Sequence, residues 1–142
     1  MKQGIQSKVI VLKTMKLGIV IAISLLTANT SFGQGKWVAP AEAKSKVNPL
    51  AGNNSGIADA KKLYLSTCAP CHGDKGKGDG AAAASLNPKP ADHTSKALQA
   101  ETDGELFWKI TEGRKAMPGW KSSLTEQQRW SLVNYIRTLA KK

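Results

Sequence analysis

Residues 68–72 read Cys68-Ala69-Pro70-Cys71-His72 and contain both cysteines of the 142-residue chain. This is C-x-x-C-H, the spacing at which a haem is attached through its vinyl groups. Two thiols about one turn of backbone apart can each add across one vinyl, giving two thioethers through Cys68 and Cys71. His72, directly after, is then delivered to one face of the porphyrin, where its imidazole can bind iron. Other chemistries of the pattern fare worse. A structural zinc ion needs four ligands, and outside the motif the only other histidine is His93. A dithiol redox pair belongs on a βαβ frame, and no strand-period segment is present. A disulfide closing a two-residue loop would stabilise almost nothing.

Iron held by His72 on one side raises the question of the other. Of the three methionines, Met1 and Met15 precede an apolar run and Met117 alone follows it. Met117 lies in Arg114-Lys115-Ala116-Met117-Pro118-Gly119-Trp120, off any helical stripe, which argues against a role as core filler. A thioether is a soft ligand that favours reduced iron, so His/Met ligation raises the potential. The rivals are His93 and an open or water-filled position. His93 sits in the polar stretch Ala91-Asp92-His93-Thr94-Ser95 and reads as an exposed loop histidine.

The surrounding pattern is helical, with three main helices and long loops. Gly56 to Thr67 carries Ile57, Ala60, Leu63 and Tyr64 at helical spacing, with Asn53, Asn54 or Ser55 as its cap. A loop rich in Gly and Pro runs from Gly73 to Ala97, longer than a compact domain tolerates without something to wrap. Thr102 with Glu105, and Thr125 with Gln128, each form a capping box that opens a helix. Leu106, Phe107 and Ile110 face inward on the first, which Gly113 ends. Leu132, Tyr135, Ile136 and Leu139 line one face of the second.

The N-terminal part reads differently. Lys2, Lys8, Lys13 and Lys16 precede an apolar run, Leu17 to Ala28, too short for a comfortable span, followed by Ser31-Phe32-Gly33. That is the order of a secretory signal over 1–33; an uncleaved anchor is the alternative, and Met15 offers a second start. Its removal takes four of the 21 basic residues and no acid, lowering the formal charge from +11 to +7. The mature chain then has no membrane-spanning segment. Its scattered lysines suit acidic protein partners better than nucleic acid. Residues 34–55 read as a linker or N-terminal arm. Trp37 and the turn Asn48-Pro49-Leu50 are what would lay it on the body; a disordered tether is the alternative.

From about Gly56 to Leu139 the chain resembles a bacterial class I, monohaem cytochrome c. The resemblance rests on C-x-x-C-H-G at Cys68–Gly73 and on Gly76-Lys77-Gly78-Asp79-Gly80 after it. Leu86-Asn87-Pro88-Lys89-Pro90-Ala91-Asp92, the Met117-Pro118 pair and a last helix with Trp130 and Tyr135 complete it. It implies an all-α fold over 56–142, with loops wrapped around one covalent haem c and the first and last helices crossing. Tyr64 and Tyr135 would belong to that crossing, beside Leu132 and Ile136, with Ala60 where many relatives have glycine. In the family a proline carbonyl in this loop accepts the axial histidine Nδ1–H. Many relatives carry a proline where Ala81 stands, so here Pro88 or Pro90 would provide it.

The implied activity is one-electron transfer in a cell-envelope respiratory chain, by a monomer in the periplasm or on the outer face of the cytoplasmic membrane. A small haem enzyme or gas-binding protein with an open sixth site is the alternative from another class. A cytochrome subunit tethered to a larger oxidoreductase is a third reading. A domain this small has a thin core, and a haem is a large apolar body that would supply the missing part.

Overall fold

The computed structural model describes residues 36–140; the expected signal over 1–33 lies outside them. Among the described residues the regular structure is helical. It comprises α1 (Ala41–Lys44), α2 (Ile57–Thr67), α3 (Ala69–His72), a 3-10 turn at Ala83–Ser85, α4 (Lys96–Gln99), α5 (Asp103–Glu112) and α6 (Glu126–Leu139). Helices α2, α5 and α6 are the three main ones, and the rest are single turns within the long loops.

Both capping boxes form. The Glu105 carboxylate accepts from the Thr102 amide at 2.7 Å while the Thr102 hydroxyl accepts from the Glu105 amide at 3.2 Å. Thr125 and Gln128 do the same for α6. These reciprocal bonds satisfy amides that a helix start leaves without partners. Helix α2 starts otherwise than expected. It begins at Ile57 with Gly56 at the cap, and no side chain caps it. The Asn53 side chain instead accepts from the Ser55 amide and hydroxyl, a local turn that takes up the candidate cap before the helix begins.

The core forms where α2 packs on α6. Tyr64, Trp130, Leu132 and Val133 are each under 2% exposed, and burying a side chain of this kind stabilises by about 1.5–3 kcal/mol. The Tyr64 and Tyr135 rings meet at 5.0 Å, with Ala60, Leu132 and Ile136 buried around them. Phe107 of α5 stacks on Trp130 of α6 at 3.9 Å and 16°, so the third helix joins the same core. Arg137 ties the C-terminal end of α6 to the start of α5, its Nε donating to Asp103 at 2.8 Å. Its Nη1 donates to the Gln99 carbonyl at 3.0 Å.

Residues 37–50 are docked on this body. Asn48 is buried and its Nδ2 donates to both Asp103 and Asn134, each at 2.8 Å. Asn134 in turn donates to the Leu50 carbonyl at 2.7 Å. Trp37 meets Trp108 edge-on at 6.2 Å. Helix α1 lies against α5 at Gly104. A Cβ on that glycine would collide with the Ala43 carbonyl oxygen and approach the Lys46 carbonyl oxygen to 2.7 Å. Gly104→Ala is therefore expected to lose about 1–3 kcal/mol by overpacking, read as a lower denaturant midpoint. A variant as stable as the parent would mean the arm does not hold this position.

Candidate haem site

Cys68 closes α2 and opens α3, so the two helices meet at the first thiol. Cys68, Cys71 and His72 stand at i, i+3 and i+4 of a single helical turn, and such positions share one face. Both thiols are free and half-buried. Burial pushes the Cys68 thiol pKa up, which keeps it protonated. Proline at the second position of α3 costs nothing there, because a first-turn amide has no helical partner.

The glycine-rich stretch after the motif folds back on this turn. Gly78 donates to the His72 carbonyl at 2.8 Å, Gly80 to Cys71 at 3.1 Å and Ala82 to Pro70 at 3.0 Å. The loop thus serves the carbonyls that a one-turn helix cannot satisfy for itself. Gly78 has φ +76°, and a Cβ on it would lie 2.6 Å from the Pro90 carbonyl oxygen. The Gly76–Gly80 segment therefore clamps the turn.

His72 is buried, and its Nδ1 lies 2.9 Å from the Ala91 carbonyl oxygen. A carbonyl can only accept, so Nδ1 carries the proton and Nε2 keeps its lone pair. Burial lowers the imidazole pKa, opposed by that bond; the neutral ring is the form that binds metal. Neither Pro88 nor Pro90 supplies the carbonyl, contrary to the expectation from the sequence. Pro88 is exposed and Pro90 half-buried. Gly78 packs against the Pro90 carbonyl, and the next carbonyl along the chain, that of Ala91, reaches the imidazole.

Met117 is held by a tight turn. Gly113 ends α5 at φ +68°, and Arg114 and Met117 exchange backbone hydrogen bonds at 2.9 and 3.0 Å. Trp120 then donates to the Ile110 carbonyl at 2.9 Å, returning the chain onto the end of α5. The half-buried Met117 and the buried His72 line one cavity of about 390 Å³, walled by Leu98, Leu106, Ile110 and Ile136. Its size and apolar walls are those of a cofactor site. Lys36 and Trp37 of the arm, the Lys109–Glu101 ion pair at 2.6 Å and His93 also line it. Cys68 and Cys71 are not in the lining, nor are Pro88 and Pro90. The thiols sit on the turn that presents His72 to it.

A sequence comparison supplies the family. Residues 55–136 match the family described as cytochrome c oxidase, cbb3-type, subunit III. The chain belongs to this family of bacterial class I cytochromes c. Among solved structures the cytochrome is similar to a chain of the Kuenenia stuttgartiensis reducing HAO-like protein complex Kustc0457/Kustc0458. The two are 33% identical with a TM-score of 0.51, over 57% of this chain and 41% of that one. The cytochrome thus spans less than half the length of that relative. No curated protein matches it.

The residues present fit a haem c. Two unpaired thiols and an imidazole with a bare Nε2 share one helical turn, and the imidazole opens on an apolar cavity with a thioether in its wall. In this cytochrome Cys68 and Cys71 would hold the porphyrin, and His72 would bind the iron.

His93 departs from the sequence reading. It is buried, not exposed, and stacks on His72 with ring centroids 4.1 Å apart and planes 19° apart. Burial and the neighbouring His72 push its pKa down to about 3, with the Asp92 carboxylate opposing. Two imidazoles on opposite sides of one iron would need a porphyrin between their edges. Rings in face-to-face contact leave no space for one, so this arrangement opposes His93 as the second ligand. Nothing in Ala91-Asp92-His93-Thr94-Ser95 signalled this burial, because the stretch is polar throughout. Asp92 folds it into a turn by accepting from the Thr94 amide and hydroxyl, both at 2.7 Å.

Proposed function

We propose that this cytochrome carries one electron at a time on a single haem c stitched to Cys68 and Cys71 and ligated by His72 and Met117. The observation that carries the reading is that His72 and Met117, 45 positions apart in sequence, line the same apolar cavity, while His93, which lines it too, is stacked face to face on His72. When bound, the haem supplies an iron whose charge changes by one. The chain's part is to anchor and ligate that iron and keep water from it. Leu98, Leu106, Ile110 and Ile136 exclude water, while the Ala91 carbonyl fixes the His72 tautomer and tunes its basicity. With both axial positions taken, no site is left for a substrate, so the role is carrier and not enzyme.

The N-terminal leader over 1–33 directs export, and the mature carrier works as a monomer in the periplasm or on the outer face of the cytoplasmic membrane. Its basic surface selects acidic redox partners, not nucleic acid. A second reading is favoured by the solved relative, which belongs to a complex, and by the family's name as an oxidase subunit. On it, this cytochrome is one redox module of a larger assembly, and a stable co-purifying complex would establish it.

The test is a pyridine haemochrome assay with a reduced-minus-oxidised spectrum of the purified holoprotein. One haem with two thioethers, a one-electron titration and the weak band of a Met-sulfur–iron bond are expected. Partner turnover should fall steeply with added salt. Rapid carbon monoxide binding to the reduced form would instead mean an open sixth position and a gas-binding or enzymatic role.

A further inference from the structure

We propose that His93 is a positioning residue that sets the rotational orientation of the His72 imidazole by stacking on its face, and that Tyr64 locks His93 in place. The inference rests on His72 being the axial ligand and adds a residue outside the ligand set.

The stacking partner is itself held through both its backbone and its ring. The His93 amide donates to the Gly76 carbonyl at 2.6 Å, and its own carbonyl accepts from Gln99 Nε2 at 2.6 Å. Gln99 Nε2 also lies 3.2 Å from the Ile136 carbonyl of α6, so the loop is tied to the core. On the ring, Nδ1 is 3.0 Å from the Tyr64 hydroxyl, which is 3.3 Å from the Gly73 carbonyl. A hydroxyl has one proton and a carbonyl only accepts. One assignment satisfies both contacts: His93 Nδ1–H donates to the Tyr64 oxygen, and the Tyr64 hydroxyl donates on to Gly73. Tyr64 is 0% exposed, so its hydroxyl is shut off from bulk solvent. The Tyr64 ring also meets the His93 ring edge-on at 5.7 Å.

Gly76 shows how little slack remains. At φ +73° a Cβ there would lie 2.7 Å from Leu139 Cδ1, 3.1 Å from His93 Cβ and 3.4 Å from the Tyr64 hydroxyl. Loop, tyrosine and histidine are in mutual contact around one point.

The hydrogen bond to Ala91 alone would still let the His72 ring rock about the line through Nδ1 and its acceptor. A flat ring laid parallel against its face removes that freedom, because rocking would drive one ring into the other. Stacking takes a face and leaves the edge that carries Nε2 open to the iron. The orientation of an axial imidazole decides which iron d orbital holds the unpaired electron of the oxidised state, and hence how spin density spreads over the porphyrin.

The experiment is proton NMR of the oxidised holoprotein as its cyanide adduct. Cyanide is cylindrically symmetric, so the pattern of the four haem-methyl shifts reports the histidine plane alone. His93→Phe, which keeps a flat ring but also loses the bond to Tyr64, is expected to depart from the parental order and spread of these shifts by no more than Tyr64→Phe does. His93→Leu, which fills the space without a flat ring, should change the order or compress the spread. Tyr64→Phe should give a smaller change in the same direction, and it decides the matter if the leucine variant fails to take up haem. Parental shifts in both His93→Leu and Tyr64→Phe, or in Tyr64→Phe alone where the leucine variant is lost, would overturn the proposal. Failure of His72 ligation is a separate result: the unmutated protein would then give no low-spin histidine–cyanide spectrum at all.

Discussion

A chain with Cys68 and Cys71 both replaced by Ser is expected to lose all covalent haem and, with it, native tertiary structure. The two effects are linked by the cavity. Leu98, Leu106, Ile110, Met117 and Ile136 line a cavity of about 390 Å³ in a domain of about 100 residues whose own core is thin. A cofactor bound only by the folded chain stabilises it by mass action, about 4 kcal/mol at a thousandfold excess over its dissociation constant. A covalent attachment makes that excess permanent. Against a total stability of about 5–15 kcal/mol for an ordinary domain, loss of the cofactor removes much of the whole. The checks are acid–acetone extraction, which strips colour from non-covalent haem only, and near-UV circular dichroism. Native near-UV signal in the haem-free double variant would show that the protein core suffices without the cofactor.

Met117→Ala is expected to leave both thioethers intact while lowering the reduction potential by on the order of 0.1 V, within the roughly 0.8 V that axial ligands command. Removing the sulfur withdraws the ligand that favours reduced iron. It also opens one side of the site, so the reduced variant should bind carbon monoxide quickly. Folding should survive, because the Met117 turn is held by backbone bonds between Arg114 and Met117 and by Trp120 on Ile110, none of which uses the sulfur. An unchanged potential with no carbon monoxide binding would remove Met117 from the ligand set.

The main helices were legible because each carries a local signal that is also its mechanism. Thr102 with Glu105 and Thr125 with Gln128 satisfy their helix starts within four residues of chain, so the pairs could be read without knowing the fold. Leu132, Tyr135, Ile136 and Leu139 repeat at the helical period because one face of α6 is buried. The start of α2 was misread because Asn53 had two local uses, cap or turn, and chose the turn. Cys68-Ala69-Pro70-Cys71-His72 was legible for the same reason as the capping boxes: its chemistry fits within one turn of helix.

The sequence by itself determined the all-α class, the attachment motif and Met117 as the candidate thioether, since these follow from residue type and short spacing. Only the tertiary structure decided that Ala91, not Pro88 or Pro90, holds the His72 tautomer, that His93 is buried against His72 and that residues 37–50 dock on the body. In the loop it is register that selects a carbonyl, and neighbouring peptides look alike in sequence. His93 lies in a polar stretch and is buried by Gly76, Gln99 and Tyr64, which come from three other segments. Such contacts join residues 6 to 86 positions apart, and their partners become neighbours only after the chain has closed around its centre.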